Sequence, residues 1–189
     1  MRPGLAIIAL WVLWALSWLL AAGWAGETQK QESLRAQLGY RALLVLGAFV
    51  LGIPAHGYSG SLRLWQVDRA EAWLCVGVIA AGIAFAWWAR IGMGRLWSGR
   101  ITRKADHVVL DRGAFAIVRH PIYLGMLLAV YATAVAKGTV WGLGGALLVT
   151  LGILTKARLE ERWLTTELGA AYGAYRRRVP MLFPFGPRG

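Results

Sequence analysis

Five stretches of this chain contain no Asp, Glu, Lys or Arg, and each is long enough to matter. They are Pro3–Gly26 (24 residues), Ala42–Leu62 (21), Ala72–Ala89 (18), His120–Ala136 (17) and Gly138–Thr155 (18). A helix needs about 20 residues, within a range of about 17–25, to cross the hydrocarbon core of a bilayer. Backbone groups in lipid must be satisfied internally, which favours helices over open strands. The first three runs are full spans. The last two are short and only Lys137 stands between them, so they predict a tight helical hairpin. The expected fold class is therefore all-α. It is an integral membrane bundle of about five transmembrane helices, the last two a tight hairpin. The whole of 1–189 reads as one membrane domain, with three spans in 1–89 and a core in 90–189. The composition agrees, with 58% apolar and 16% charged residues, against about 45–50% and about 25% in soluble domains.

Charge gives the bundle a direction. The segments 27–41, 90–119 and 156–189 hold three, seven and seven Lys or Arg. Five crossings put all three on one side, which then carries 17 of the 21 basic residues; Arg2, Arg63, Arg69 and Lys137 fall on the other. The positive-inside rule predicts a multi-pass inner or plasma membrane protein with its N-terminus outside and its C-terminus in the cytoplasm. Reading the first span as a cleaved signal peptide would flip every later loop and export both seven-charge segments, so it is expected to stay as a span. The net charge of +12 is thus matched to anionic headgroups or an anionic substrate rather than to nucleic acid.

The chemistry is confined to two polar segments that flank the hairpin. In the first, Asp111-Arg112-Gly113 predicts a turn after a short extended Val108–Leu110, and Arg119-His120-Pro121 enters a helix with Pro at its first position. Spare N–H donors and the helix dipole at that end suit an anionic group. In the second, Lys156 and Glu160 form an i,i+4 pair, Gly169 breaks the helix, and Tyr172, Tyr175 and Val179 make an apolar stripe that Pro180 ends. Plainer readings exist for each. Glu160 and Glu161 can pair with Arg158 or Arg162, His120 can cap its helix, and Arg176–Arg178 can anchor headgroups. Arg119 can orient a substrate or brace the pocket. Trp11, Trp14 and Trp18 share a helix face and read as packing, with Trp24, Trp73, Trp87 and Trp88 near span ends. Gly138 and Gly142, and more loosely Gly47 and Gly52, predict close helix approach. Cys75 is the single cysteine and lies inside a span without a base, so a thiol nucleophile is not expected. The three His, including His56 and His107, have no metal-ligand spacing, so no metal is expected. Gly142, Gly144 and Gly145 echo a dinucleotide turn but sit within an apolar span.

Taken in order, the two segments resemble the isoprenylcysteine carboxyl methyltransferase family over about 90–186. The pattern R-H-P-x-Y-x-G is matched by Arg119, His120, Pro121, Tyr123 and Gly125. The tail pattern is matched by Glu160, Glu161, Leu164, Leu168, Gly169, Tyr172, Tyr175, Val179, Pro180, Pro184 and Phe185, and a looser block by His107–Phe115. The resemblance implies an enzyme that uses S-adenosylmethionine in a cytoplasmic pocket formed by the loop before the hairpin and the tail after it, bound by His107, Val108, Val109, Leu110, Phe115, His120, Pro121, Ile122, Tyr123 and Glu160. It implies catalytic positions at Arg119 and Lys156. Its lipophilic acceptor would be a prenylcysteine carboxylate, held near the bilayer because each buried CH2 contributes about 0.8 kcal/mol. Two positions depart from the family: Phe115 stands for a Tyr, and Lys156 for an Arg, which removes bidentate carboxylate recognition. The same plan serves methyltransferases of phospholipid amines and small thiols, and these are the alternative acceptors. A non-enzymatic helical membrane protein is the reading from another class; charges facing a pathway inside the spans would favour it.

Overall fold

The computed structural model describes residues 2–24, 28–31, 34–54, 62–94, 102–104 and 109–187. Its elements are α1 (Pro3–Ala21), β1 (Thr28–Gln31), α2 (Leu34–Gly52), α3 (Arg69–Met93), β2 (Thr102–Lys104), α4 (Ala114–Ile117), α5 (Pro121–Lys137) and α6 (Val140–Arg178). Three helices are long and apolar enough to cross a membrane: α1, α3 and α6. Gln37–Gly52 and Pro121–Lys137 are shorter apolar helices. The expected five-helix membrane bundle is what forms. Large apolar side chains such as Leu20, Val45, Phe49 and Leu74 point outward; such a surface suits lipid, not water.

Local sequence sets the ends of the helices. Asp68 and Glu71 form a capping box at the start of α3, with two reciprocal 2.8 Å bonds; a cap of this kind stabilises by about 1 kcal/mol. Thr139 caps α6 by accepting from the Gly142 N–H at 3.1 Å. Gly138 closes the hairpin in the left-handed conformation (φ 57°), which costs glycine nothing. A side chain there would also strike the Trp65 carbonyl.

Packing joins α2 to α6 and α3 to α5, with α5 against α6 and α1 against α3. Glycines let the backbones meet. A Cβ on Gly82 of α3 would fall 2.5 Å from the Gly125 carbonyl of α5. Gly47 meets Val149 in the same way, and Gly142 lies close to the Ala134 carbonyl, as expected. Gly52 instead faces open space, and Gly145 and Gly152 carry the α2–α6 approach with Gly47. The tryptophans pack as a ladder: Trp11, Trp14 and Trp18 follow one another at 5.6 and 5.5 Å, Trp18 meets Trp87 at 5.3 Å, and Trp11 Nε1 donates to Thr133 Oγ1.

Contacts at the two ends fix the topology. At one end β1 pairs antiparallel with β2, and the fully buried Arg90 donates to the Ala21 carbonyl that ends α1. At the other, Lys137 Nζ donates to the Leu51 and Ile53 carbonyls at the end of α2, and Leu64 N–H donates to the Gly138 carbonyl. A cation on the last carbonyls of a helix is favoured by the helix dipole. Thr28–Gln31, Arg90 and Thr102–Lys104 therefore share one end of the bundle and Lys137 the other.

Candidate functional site

The segment Val109–Tyr123 and the tail after Thr155 converge at the basic end. Gly113 turns the chain with φ 58° into the short α4, where a turn was expected; α4 itself was not. Pro121 starts α5 as its first residue. Gly169 kinks α6 (φ 53°, ψ −128°), so the second leg folds back over the first. After Arg178 the chain leaves the helix and runs along the Arg119-His120 pair: Arg119 N–H donates to the Pro180 carbonyl at 2.9 Å, and His120 N–H to the Met181 carbonyl at 3.0 Å. Tyr175 OH donates to the Phe115 carbonyl at 2.7 Å. These bonds explain why the Y-x-x-Y-x-x-x-V-P run accompanies R-H-P in sequence. Tyr172, Tyr175 and Val179 bury together with Val109, Leu164 and Leu168.

Glu161 is the hub. Arg119 donates to both of its oxygens, Nε to Oε1 at 2.8 Å and Nη2 to Oε2 at 3.0 Å. His120 Nε2 lies 2.9 Å from Oε1, Tyr172 OH donates to Oε1 at 2.8 Å, and Arg176 Nε is 3.2 Å from Oε2. Burial alone would raise this carboxyl; the bonds from His120 and Arg119 outweigh it and hold Glu161 at about 2. Arg119 is completed by the Val179 and Arg176 carbonyls, at 2.5 and 3.1 Å. Burial and then the Glu161 charge push the Tyr172 phenol well above its ordinary range.

Glu160 faces a different set. Tyr123 OH lies 2.8 and 2.7 Å from its two oxygens, His120 Nδ1 is 3.5 Å away and Lys156 Nζ is 3.7 Å away. Burial works against its charge, yet Lys156 first and then His120 and Tyr123 keep Glu160 below the ordinary carboxylate range. His120 and Tyr123 stack at 5.3 Å with an 8° angle between their planes. So, among the described residues, Glu161 pairs with groups distant in sequence, Glu160 with the distant Tyr123 and His120 and with its i,i+4 neighbour Lys156, and neither with Arg158 or Arg162. The Arg176–Arg178 run is divided as well: Arg176 reaches Glu161, and Arg178 pairs with Asp111 at 3.1 Å.

A cavity of about 1250 Å³ opens from this cluster. Val109, Leu110, Phe115, His120, Tyr123 and Glu160 line its basic end, with Arg119, Pro121, Ile122 and Lys156. Ten of the residues singled out in the sequence thus come together here. His107 and Val108 lie outside the described residues. The cavity continues between α1 and α2 past Ile7, Trp11, Val45 and Ala48 to Lys137 and Pro54 at the far end. Sequence reasoning missed Glu161 as the hub and Tyr172 as its partner. The paired glutamates were visible, but nothing local says which one turns toward Arg119. Cys75 is buried in α3.

Residues 74–166 match the model of the isoprenylcysteine carboxyl methyltransferase family. Methanethiol S-methyltransferase 2 of Bradyrhizobium diazoefficiens is 41% identical over 130 residues, covering 64% of this chain and 49% of that protein. Methanethiol S-methyltransferase of Pseudomonas deceptionensis is 43% identical over 133 residues, covering 65% and 50%. Protein-S-isoprenylcysteine O-methyltransferase B of Arabidopsis thaliana is 25% identical over 138 residues, covering 72% and 65%. The chain spans about half the length of the two methanethiol relatives.

Proposed function

We propose that this chain, whose segment 74–166 matches the model of the isoprenylcysteine carboxyl methyltransferase family, transfers a methyl group from S-adenosylmethionine to a thiol that reaches the site from the bilayer. One observation carries the choice of acceptor. Among the described lining residues, the guanidinium is that of Arg119, committed to both oxygens of Glu161, while Glu160 on the same wall stands beside the Lys156 ammonium. A guanidinium fork matches a carboxylate; an ammonium is a point charge and suits a one-atom anion such as a thiolate. The 41% and 43% identities to proteins named for methanethiol support the same reading.

The residues present fit the cofactor. Glu160 offers a buried carboxylate for its ammonium or ribose hydroxyls. The Ile122 and Tyr123 N–H groups at the start of α5 stand outside the intrahelical ladder and suit its carboxylate. Leu110, Phe115, Tyr172 and Tyr175 offer apolar and aromatic walls for a base. When bound, S-adenosylmethionine supplies a methyl group already activated on a sulfonium. The chain aligns the reactants for in-line displacement and excludes water. A cysteine thiol has a pKa of about 8.5 and a simple alkyl thiol is a weaker acid still, while a neighbouring lysine cation lowers a thiol's pKa; Lys156 is placed to favour the thiolate. Glu160 and the start of α5 would hold the donor and Lys156 the acceptor sulfur as its thiolate, the thiol proton released to water, so that the methyl would pass from sulfonium to sulfur and leave a neutral thioether. Arg119, His120 and Tyr172 hold the pocket's shape through Glu161. The basic end is assigned to the cytoplasm by its charge.

A second reading, the carboxylate of a prenylated cysteine, is favoured by the apolar cavity running along α1 and α2 and by the isoprenylcysteine relative. The test is a methyl-transfer screen of the purified chain with labelled S-adenosylmethionine against methanethiol, long-chain alkyl thiols, prenylcysteine and phosphatidylethanolamine. Label in the thiols supports the first reading; label in prenylcysteine alone replaces it with the second. No label in any acceptor overturns methyl transfer.

A further inference from the structure

Lys156 is held from a direction that lies outside the family-matched segment. Its Nζ sits 5.4 Å from the ring centroid of Tyr123 on α5 and 5.7 Å from that of Tyr40 on α2. Glu160 Oε1 is 3.7 Å from the same nitrogen. Tyr40 is only 1% exposed, and its hydroxyl has no hydrogen-bond partner among the described residues. It stands in the close α2–α6 seam, where its carbonyl lies 3.1 Å from the Cβ position of Gly152. A buried phenol with no bonding partner for its oxygen is held for its ring. An ammonium near two aromatic faces is attracted by both, and more strongly where water is excluded.

We propose that Tyr40 is a positioning residue: with Tyr123 it clamps the Lys156 ammonium between two rings and fixes that cation at the acceptor end of the cavity. The clamp rests on the methyl-transfer reading for its purpose and on the geometry alone for its existence. A lysine side chain has four rotatable bonds, and an unrestrained one would sample many positions. The clamp selects the position in which Lys156 lines the cavity beside Glu160. Among the described residues, the charged and titratable groups around it include Glu160 on α6, His120 and Tyr123 at the start of α5, and Tyr40 with Arg41 on α2. The Arg41 guanidinium lies 6.0 Å from the Tyr40 ring and donates to Gln37 at 2.8 Å.

The test begins without cofactor or acceptor. The chain in detergent is treated with an amine-reactive reagent, and labelling of Lys156 is followed by mass spectrometry. Tyr40→Leu, and Tyr40→Met as a second ring-free variant, should raise labelling about three- to tenfold, the scale of one or two desolvated cation–π contacts. Tyr40→Phe keeps the ring and should label like the wild type. Unchanged labelling in both ring-free variants overturns the clamp. The kinetic arm follows kcat/KM for a thiol acceptor against pH. Its midpoint should move up in Tyr40→Leu and Tyr40→Met and stay in place in Tyr40→Phe, while calorimetric affinity for S-adenosylmethionine stays within about twofold of wild type. A midpoint that does not move while labelling rises overturns the clamp's role. A wild-type chain that methylates nothing overturns the methyl-transfer reading and leaves the labelling result to judge the clamp.

Discussion

Arg119 and Glu161 stand 42 residues apart in the chain and are joined by two parallel bonds of 2.8 and 3.0 Å, both ends buried. One residue precedes the hairpin and the other follows it, so the pair locks the two legs of the site together. Removing one partner of a buried ion pair leaves an uncompensated charge, which costs about 3–5 kcal/mol. Arg119→Ala and Glu161→Gln should each lower the thermal midpoint in detergent by several degrees. The double variant should lose clearly less than the two single losses added together, because the pair acts as a unit. Losses that simply add would remove the pair from the locking role.

Acid should open this lock. The folded state holds Glu161 at about 2, against an ordinary 4.5. A depressed carboxyl contributes stability that is fully present above the unfolded value and is lost as pH falls through the folded one. The gap corresponds to on the order of 3 kcal/mol. Denaturation midpoints should therefore fall progressively as pH drops from about 4.5 to 2, and Glu161→Gln should flatten that limb. An equally steep acid limb in the variant would assign it to other carboxylates.

Glu160 has a different task. Its charge is stabilised by Lys156, His120 and Tyr123 on the cavity wall. Glu160→Gln should weaken S-adenosylmethionine binding about 10- to 100-fold by calorimetry, the scale of one or two charge-assisted hydrogen bonds, with a circular dichroism spectrum like the wild type. Unchanged affinity would take Glu160 out of the binding site.

Gly125 ends the R-H-P-x-Y-x-G pattern for a packing reason. It lies against Gly82 and Ala86 of α3, where a side chain would meet backbone. Gly125→Ala should destabilise the bundle by about 1–3 kcal/mol through forced separation of α3 and α5. Gly173→Ala, with its nearest neighbour the flexible end of Arg177 at 3.7 Å, should be neutral or slightly stabilising, as helix propensity favours alanine by up to about 1 kcal/mol. Equal thermal shifts in the two variants would contradict this account.

Cys75 is buried in α3 and takes no part in the polar network. Cys75→Ser should retain nearly all methyl transfer in a labelled-donor assay. Complete loss of turnover with the protein still folded would reveal a thiol step.

The sequence by itself determined what depends on local order. Runs free of charge fixed five apolar helices, because hydration of a helix depends on its own side chains. The positions of Lys and Arg fixed which loops share an end. Gly169 and Pro121 marked a kink and a helix start through their own backbone limits, Lys137 between two apolar runs marked the hairpin, and the spacing of Lys156 and Glu160 fixed their pairing, whereas Gly138, read for close helix approach, serves instead as the left-handed cap of α5. Partner choice across the bundle was decided only by the tertiary structure. Glu160 and Glu161 are adjacent and chemically alike, yet one turns to Tyr123 and Lys156 and the other to Arg119, His120 and Tyr172. That choice follows from how α6 crosses α5 and folds back at Gly169, which brings together residues from both sides of the hairpin. Tyr40 carries no mark in its own stretch of sequence, since its place beside Lys156 comes from the glycine-lined approach of α2 to α6. Neighbours in a strip of sequence share a helix; neighbours in a site share a crossing, and only three-dimensional packing sets where helices cross.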